Sequence, residues 1–206
     1  MIAIIDYGMG NLRSVQKALE KVGAEALISH DPLEIEKAEK IILPGVGAMQ
    51  PAMEKLSSLG LIPSLKKSID QGKPFLGICL GLQLLFEKGF EGGEVDGLGM
   101  FKGEVRRFES NEKSPLKIPH MGWNQLNFKK KNCPLLKGIE DSSNVYFCHS
   151  YFVNPKEKEL SVATTFYGEE FTSCVWQDNI FGVQFHPEKS QTVGLTILKN
   201  FLEYKK

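Results

Sequence analysis

The chain has 206 residues, of which 25 are basic and 25 acidic, so its formal net charge is zero. This balance argues against a broad nucleic-acid-binding face, because phosphate recognition usually shows as an excess of Lys and Arg. Hydrophobic residues make up 42% and charged residues 24%, too apolar for a disordered chain and too charged for a membrane protein. We expect a single domain over residues 1–206 and, without a secretory signal, a cytoplasmic location.

The first ninety residues alternate between apolar strands and amphipathic helices. Strands are predicted at 2–5, 24–28, 40–45 and 74–78. Helices are predicted at 12–22, in a short acidic segment after Pro32, and at 51–59, 62–71 and 80–88. Such alternation is typical of parallel βαβ units, and it predicts an α/β fold with an open, mixed, mainly parallel sheet flanked by helices.

After about residue 89 the composition changes to runs rich in β-branched and aromatic residues. These runs predict strands, mostly antiparallel, added to the first half of the sheet. The segment 144–153 is one such run, and helical periodicity returns at 192–204.

The clearest local motif is Gly77-Ile78-Cys79-Leu80-Gly81, at the point where the fourth strand turns into a helix. Small residues on either side of a strained central residue are typical of a nucleophile elbow. The helix N-terminus would favour a Cys79 thiolate, and the Leu80 N–H would face a developing oxyanion. A cysteine in an apolar run can also be an inert core residue, so the motif needs a partner base.

His186 is the candidate base, because it follows an apolar strand and precedes Glu188 by two residues. Residues at i and i+2 of an extended segment face the same way, so the carboxylate can orient the imidazole. Together, Cys79, His186 and Glu188 supply a nucleophile, a base and an orienting acid. Gly45-Val46-Gly47, at the carboxyl end of the third strand, can add a second oxyanion donor, although a plain turn is the alternative.

Several longer strings resemble one known family. PGVG (44–47), GICLGLQLLFE (77–87) and GVQFHPEKS (182–190) are similar to the signatures of class I, triad-type glutamine amidotransferases, whose sheet is flavodoxin-like. DYGMGNL (6–12), PHMGWN (119–124) and YFCHSY (146–151) resemble one branch, the glutaminase subunits of imidazole glycerol phosphate synthases. The resemblance covers the chain from end to end.

The resemblance implies that Cys79 attacks the carboxamide of glutamine to form a γ-glutamyl thioester, with His186 passing the proton to ammonia. Leu80 and Gly45 to Gly47 would form the oxyanion hole, with a peptide flip near Val46. Substrate contacts are implied at further positions: Gln83, Glu91, His149, Ser150 and Tyr151. Neither a metal nor a cofactor is implied.

The same branch implies a partner. Ammonia would pass to a (β/α)8-barrel cyclase subunit, which makes imidazole glycerol phosphate and aminoimidazole carboxamide ribotide. The implied interface positions are Asn11, Met121, Trp123 and Lys189. Trp123 is expected in an exposed loop, where an indole is a good anchor for a partner, and His120 is expected to be part of the loop or the interface rather than a second base.

Other functions remain open at this point. A related triad glutaminase could supply ammonia to glycan amidation or to a pyridoxal phosphate synthase, although PHMGWN and YFCHSY argue against the latter. A stand-alone thiol peptidase or thioesterase-like hydrolase is a second alternative, and an inactive regulatory module a third. The remaining cysteines, Cys133, Cys148 and Cys174, have no base partner in the sequence and are predicted to be structural.

Overall fold

The computed structural model describes residues 1–110 and 115–205. In this part of the chain the helices are α1 (Leu12–Lys21), α2 (Pro32–Lys37), α3 (Met49–Ser58), α4 (Leu61–Asp70), α5 (Leu80–Gln83) and α6 (Gln191–Glu203). The strands are β1 (Ile2–Ile5), β2 (Ala26–Ser29), β3 (Lys40–Gly45), β4 (Phe75–Cys79), β5 (Phe86–Gly89), β6 (Val95–Asp96), β7 (Phe101–Arg107), β8 (His120–Gln125), β9 (Asn127–Phe128), β10 (Asn144–His149), β11 (Tyr151–Pro155), β12 (Ser161–Tyr167), β13 (Glu169–Gln177) and β14 (Ile180–Val183).

One large sheet runs through the molecule. Its strands lie in the order β2-β1-β3-β4-β14-β13-β11-β7-β5-β6, with β12 and β9 continuing from β13, while β8 and β10 form a separate pair. The strands from β2 to β14 are parallel, and β13, β11 and β12 add antiparallel pairings. The prediction of a mixed α/β sheet is therefore confirmed. None of the described helices is long and apolar enough to span a bilayer.

The core lies on both faces of this sheet, because side chains of a strand alternate between them. Ile2 and Ile4 of β1 belong to the cluster that includes residues of α1 and α6, whereas Ala3 and Ile5 belong to the cluster that includes residues of α2, α3 and α4. All four residues of β1 are at most 2% exposed. Burying an Ile side chain stabilises the fold by roughly 1.5–3 kcal/mol, so both layers contribute to holding the parallel strands together.

The helix predicted at 80–88 was wrong in its length. Helix α5 ends at Gln83, and Phe86 to Gly89 form strand β5, which pairs with Phe101 to Val105 of β7. The apolar side chains of this segment are all buried, so their spacing does not distinguish a helix from a strand: Leu80, Leu82, Leu84, Leu85 and Phe86. A single helical turn also gives Cys79 only local N–H groups rather than the dipole of a long helix.

The run 144–153 divides between two sheets. Strand β10 pairs with β8, and β11 pairs with β7 and β13 in the large sheet. Ser150 stands at the break, where its carbonyl oxygen accepts a hydrogen bond from the Phe108 N–H (3.1 Å). The break carries the backbone from His149 to Tyr151 across the carboxyl edge of the parallel strands, which is the edge where open α/β sheets bind ligands.

Candidate active site

Cys79 stands at the end of β4 in a strained backbone conformation. Its φ of 54° and ψ of −106° lie in a region that L-residues rarely adopt. The flanking glycines make this turn possible: a Cβ on Gly77 would lie 2.5 Å from the Gly81 carbonyl oxygen, and one on Gly81 would lie 1.8 Å from that of Leu43. The motif therefore forms the tight elbow that its spacing indicates.

The Cys79 thiol has polar groups on two sides. The Gln184 side chain donates from Nε2 to the Cys79 Sγ over 3.6 Å, and the Cys148 carbonyl oxygen lies 3.9 Å from the same sulfur. Gln184 was not singled out by the sequence reasoning. Gln184 lies two residues before His186, but Pro187–Lys189 forms a 3-10 turn rather than extended chain, so no two-residue alternation continues to Glu188.

His186 lies beyond the end of β14, which runs parallel to β4 with Val183 opposite Ile78. This register carries His186 past the same sheet edge as Cys79. Its Nδ1 lies 2.9 Å from Glu188 Oε1, and the two side chains are 5% and 1% exposed. Ser190 Oγ donates to the His186 carbonyl oxygen (2.7 Å). With Nδ1 held by Glu188, Nε2 is the nitrogen left to face the thiol.

The electrostatics favour a protonated imidazole. Burial by itself lowers the pKa of His186, but hydrogen bonds with Cys79 and Glu188, together with the charges of these groups, raise it from 6.5 to about 10. At neutral pH His186 is therefore cationic, with a sulfur on one side and a carboxylate on the other. Such a group can deliver a proton to a leaving amine.

The glycine loop after β3 packs directly against the elbow. Gly45 is opposite Cys79 in the β3–β4 register, and a Cβ on Gly45 would lie 2.3 Å from the Tyr7 hydroxyl and 2.9 Å from Leu80 Cβ. Gly47 has a φ of +92°, and Val46 is 45% exposed. The loop thus brings backbone close to the first N–H of α5, at Leu80.

Tyr7, which the sequence reasoning missed, anchors this loop. Its hydroxyl donates to the Pro44 carbonyl oxygen over 3.0 Å, and the ring is 1% exposed. Burial, with a smaller contribution from Cys79, raises the pKa of Tyr7 well above its usual range. Tyr7 lies within the DYGMGNL string, but its contact with Pro44 depends on β1 lying beside β3.

A cavity of about 480 Å³ opens above the elbow, within the size range of small-molecule sites. Among the residues predicted for the site, its lining includes Val46, Gly47, Cys79, Leu80, Gln83, Glu91, His149, Ser150, Tyr151, His186 and Lys189. Glu188 stands behind His186 and Gly45 behind the elbow. Burial raises the pKa of Glu91, partly offset by a backbone hydrogen bond from Met49 and by the charge of Arg107.

Gln83 is held by the protein through its amide nitrogen. Nε2 donates to the Tyr151 carbonyl oxygen (2.9 Å) and to Gln184 Oε1 (3.1 Å). Both amide hydrogens are therefore used, and Oε1 is the atom available to a ligand.

The predicted interface residues lie beside the cavity or on exposed surface. Met121 and Trp123 are 61% and 48% exposed, and they point away from the face of β8 on which His120 is buried. Trp123 stands edge-on to Tyr146 with ring centroids 6.0 Å apart, and Lys189 Nζ lies 5.7 Å from the Tyr146 ring centre. Asn11 is exposed at the start of α1, which packs against the turn at Pro187–Lys189.

Two expectations about this region were wrong. Trp123 lies in a strand rather than in a loop, because PHMGWN extends to pair with 144–149. His120 is 3% exposed and stacks on Tyr167, with ring centroids 4.0 Å apart, so it belongs to the interior. Neither residue's local sequence reveals the strand that pairs with it.

The other cysteines occupy different surroundings. Cys133 and Cys174 are buried, and their mutual interaction lowers the pKa of Cys133 and raises that of Cys174. Cys148, predicted to be structural, lines the cavity instead. Within residues 1–110 and 115–205, no group of three or more His, Cys, Asp or Glu side chains is arranged to hold a metal ion.

Comparison with known proteins identifies the family. The profile of the glutamine amidotransferase class-I family matches residues 3–204. A protein from Geobacter sulfurreducens named imidazole glycerol phosphate synthase subunit HisH is 52% identical over 207 residues, covering 99% of both chains. The protein of the same name from Caldanaerobacter subterraneus subsp. tengcongensis is 55% identical over 203 residues, covering 98% of both.

Solved structures agree on the fold. A crystal structure described as a glutamine amidotransferase superposes with a TM-score of 0.75 at 20% identity, covering 98% of both chains. A chain of the PurLQS structure from Thermotoga maritima also gives 0.75, at 21% identity, covering 100% of this chain and 98% of that one. The chain belongs to the class I glutamine amidotransferase family, and within that family to the HisH subunits of imidazole glycerol phosphate synthase.

Proposed function

We propose that this chain hydrolyses L-glutamine to glutamate and ammonia in histidine biosynthesis, and that it passes the ammonia to a (β/α)8-barrel cyclase subunit with which it forms a heterodimer. The observation that carries the proposal is the arrangement of Cys79 at a strained elbow, beside His186, whose Nδ1 is 2.9 Å from Glu188. Cys79 and His186 line one cavity of about 480 Å³, and Glu188 supports His186 from behind. The unpaired cysteines suit a reducing compartment, such as the cytoplasm.

In the first step the Cys79 sulfur attacks the carboxamide carbon of glutamine. The C–N bond breaks, the nitrogen takes a proton from the imidazolium of His186, and ammonia leaves a γ-glutamyl thioester on Cys79. In the second step water attacks the thioester carbon while neutral His186 accepts a proton from it. The C–S bond then breaks with its electron pair going to the Cys79 sulfur, glutamate departs and loses its carboxyl proton to solvent, and Cys79 and His186 are back in the state that began the first step. Glu188 holds the imidazole orientation throughout.

The negative oxygen formed in both steps would be stabilised by backbone N–H groups. We assign the Leu80 N–H, at the start of α5, and the loop Gly45-Val46-Gly47 to this role. The close packing of Gly45 on Leu80 supports the assignment. Gly47 at positive φ and Val46 exposed at the cavity give the loop room to rotate a peptide, so the proposal includes a flip near Val46 when the partner is occupied.

Five residues are proposed to bind the substrate: Gln83, Glu91, His149, Ser150 and Tyr151. Glu91 at the cavity wall would hold the α-ammonium group, because a carboxylate is the natural partner of a cation there. The backbone from His149 to Tyr151, at the break between two sheets, would bind the α-carboxylate or the side-chain amide. Gln83 would offer its carbonyl oxygen.

The partner is proposed to cover the surface that carries Asn11, Met121, Trp123 and Lys189. Exposed aromatic and Met side chains are enriched at interface centres. This surface adjoins the cavity through Lys189, so ammonia released at Cys79 need not enter bulk water. Ammonia transfer also separates this role from a stand-alone thiol hydrolase, which would need no such surface.

The test compares glutamine with free ammonia as nitrogen source for the complex. Cys79→Ala should lose glutamine-dependent synthesis and retain ammonia-dependent synthesis, whereas Cys133→Ala, remote from the cavity, should retain both. The isolated chain should hydrolyse glutamine far more slowly than the complex with its nucleotide, because the oxyanion loop is incomplete. Full glutamine-dependent activity of Cys79→Ala would refute the proposed chemistry.

The partner's identity separates this proposal from a glutaminase serving glycan amidation. Co-purification from the source cell should yield a (β/α)8-barrel cyclase. Recovery of a glycan-modifying synthase in its place would keep the glutaminase chemistry and overturn the pathway.

A further inference from the structure

Two buried histidines, His120 and the cavity-lining His149, have no side-chain role in the chemistry above. His120 and His149 are 3% and 6% exposed, and His120 Nδ1 lies 3.0 Å from His149 Nε2. Aromatic rings surround the pair, with Phe171 centred 5.1 Å from His149 and Phe147 centred 4.8 Å from His120. Polar groups are placed in such surroundings only when their hydrogen bonds are satisfied.

The tautomer of each histidine follows from its neighbours. His149 Nδ1 lies 2.8 Å from the Tyr151 carbonyl oxygen, which can only accept, so Nδ1 carries the hydrogen and Nε2 accepts. His120 must then donate from Nδ1. Its Nε2 accepts from Asn124 Nδ2 over 3.3 Å, and Asn124 also donates to the Phe166 carbonyl oxygen (2.9 Å). Each hydrogen bond in this chain is therefore donated in the same direction, from Asn124 through His120 and His149 to the Tyr151 carbonyl oxygen.

Both rings remain neutral near pH 7. Burial lowers the pKa of His120 to about 4. Burial is also the main reason that the pKa of His149 falls to about 3; it outweighs the hydrogen bond to Tyr151, which raises the pKa, and the charges of His120 and His186 add smaller decreases. A second proton on His149 would remove the acceptor that His120 Nδ1 needs.

The chain of hydrogen bonds ends at the groups around the nucleophile. The Tyr151 carbonyl oxygen accepts a second hydrogen bond from Gln83 (2.9 Å), Gln83 donates to Gln184 (3.1 Å), and Gln184 donates to the Cys79 sulfur (3.6 Å). Two donors therefore fix one carbonyl, and Tyr151, which carries it, lines the cavity together with Ser150.

We infer that His149 is a positioning residue for glutamine, which holds the Tyr151 carbonyl and the Ser150–Tyr151 backbone in their binding geometry through its Nδ1–H. Asn124 and His120 stabilise the His149 tautomer that carries its hydrogen on Nδ1. The opposite tautomer would turn a nitrogen lone pair toward the carbonyl oxygen and push the peptide away from Gln83. This inference rests on the proposed glutaminase function, because its readout is the use of glutamine.

Two substitutions of His149 separate positioning from packing. In His149→Asn, Nδ2 can take the place of the imidazole Nδ1 and still donate to Tyr151, whereas His149→Leu fills the aromatic pocket without a donor. Both leave His120 Nδ1 without its acceptor, so the loss of that hydrogen bond is common to the two variants. The assay is glutamate release by the complex with its nucleotide, with thermal unfolding measured alongside.

We expect His149→Leu to lower kcat/KM for glutamine about tenfold, mainly by raising KM, since one buried hydrogen bond contributes roughly 1.4 kcal/mol, or a factor of ten. His149→Asn should stay within about threefold of wild type. Equal kcat/KM for the two variants, whatever their unfolding temperatures, would overturn the inference and assign His149 to packing alone.

A measurement on the unchanged protein is independent of how the variants fold. Long-range nitrogen–proton NMR should show the hydrogen of His149 on Nδ1, and a hydrogen on Nε2 would overturn the inference. Cys79→Ala in the same glutamate-release assay keeps the two proposals apart. If Cys79→Ala releases glutamate normally, the glutaminase chemistry fails, whereas wild-type kinetics in a folded His149→Leu refute only the positioning role.

Discussion

Replacing Glu188 by Gln should lower the pKa of His186 without moving its ring. The amide oxygen of the introduced side chain can accept from Nδ1 at the distance that Glu188 Oε1 now occupies, 2.9 Å, so the hydrogen bond survives and the charge is lost. Glu188 Oε2 is buried without a partner among the described residues, so the carboxylate's second oxygen adds charge rather than a further contact.

The size of the shift follows from the burial of the pair. An opposite charge within hydrogen-bond distance of a buried group shifts its pKa by about 1–3 units, or roughly 1.4–4 kcal/mol. In the wild type the pKa of His186 is raised from 6.5 to about 10, so the variant should titrate between about 7 and 9.

The direction in which stability changes with pH follows from the raised pKa of His186. His186 contributes stability that is complete below pH 6.5 and is lost as pH rises through about 10. In Glu188→Gln this contribution is smaller, and it should disappear at lower pH. The variant's free energy of unfolding should therefore fall below that of wild type most clearly at neutral pH, where the wild-type imidazolium is still paired.

The direct assay is an NMR titration of the His186 ring protons in both proteins, combined with denaturant unfolding at matched pH. His120 and His149 titrate near 4 and 3 and so stay outside the window. Wild-type His186 titrating near 6.5, or a shift below about half a unit in Glu188→Gln, would refute the electrostatic reasoning.

Three further predictions concern the elbow, its loop and the exposed strand. Gly81→Ala should cost more than about 3 kcal/mol of unfolding free energy, because its Cβ would lie 1.8 Å from the Leu43 carbonyl oxygen. The control Gly23→Ala has open space around its Cβ but a positive φ, so it should cost only about 1 kcal/mol. Similar losses of unfolding free energy in the two variants would contradict the packing argument. Tyr7→Phe should lower the free energy of unfolding by about 1 kcal/mol and should also lower kcat for glutamine hydrolysis. An unchanged unfolding free energy and an unchanged kcat would show that the hydrogen bond to Pro44 is unimportant. Trp123→Ala should weaken partner binding, measured by titration calorimetry, at least tenfold, or about 1.4 kcal/mol. Leu33→Ala on α2 also truncates an exposed side chain and should leave the affinity unchanged. Equal affinities of the two variants for the partner would exclude Trp123 from the interface.

The local parts of the site could be predicted from sequence. The elbow around Cys79 is encoded within a few residues, by glycines that allow a close approach. His186 and Glu188 were predicted to lie on one extended segment, but Pro187–Lys189 forms a 3-10 turn. The carboxylate still reaches the imidazole, with Glu188 Oε1 2.9 Å from His186 Nδ1. The parallel direction of the first strands also follows from the alternation of strands and helices.

The parts that depend on distant pairing could not be predicted. Tyr7 reaches Pro44 only because β1 lies beside β3, and His120 meets His149 only because β8 pairs with β10. The error at 80–88 has the same origin. A segment that is apolar on every side has no period of its own, so its pairing with β7 decides the structure.

The central claim is that Cys79 forms a covalent intermediate with glutamine. The most direct measurement is mass spectrometry of the acid-quenched complex during turnover, with peptides mapped across the elbow. We predict a γ-glutamyl group on Cys79, formed at the rate of glutamate release or faster and absent from Cys79→Ala. Turnover of glutamine without any adduct on Cys79, or with the adduct on another residue, would contradict the account.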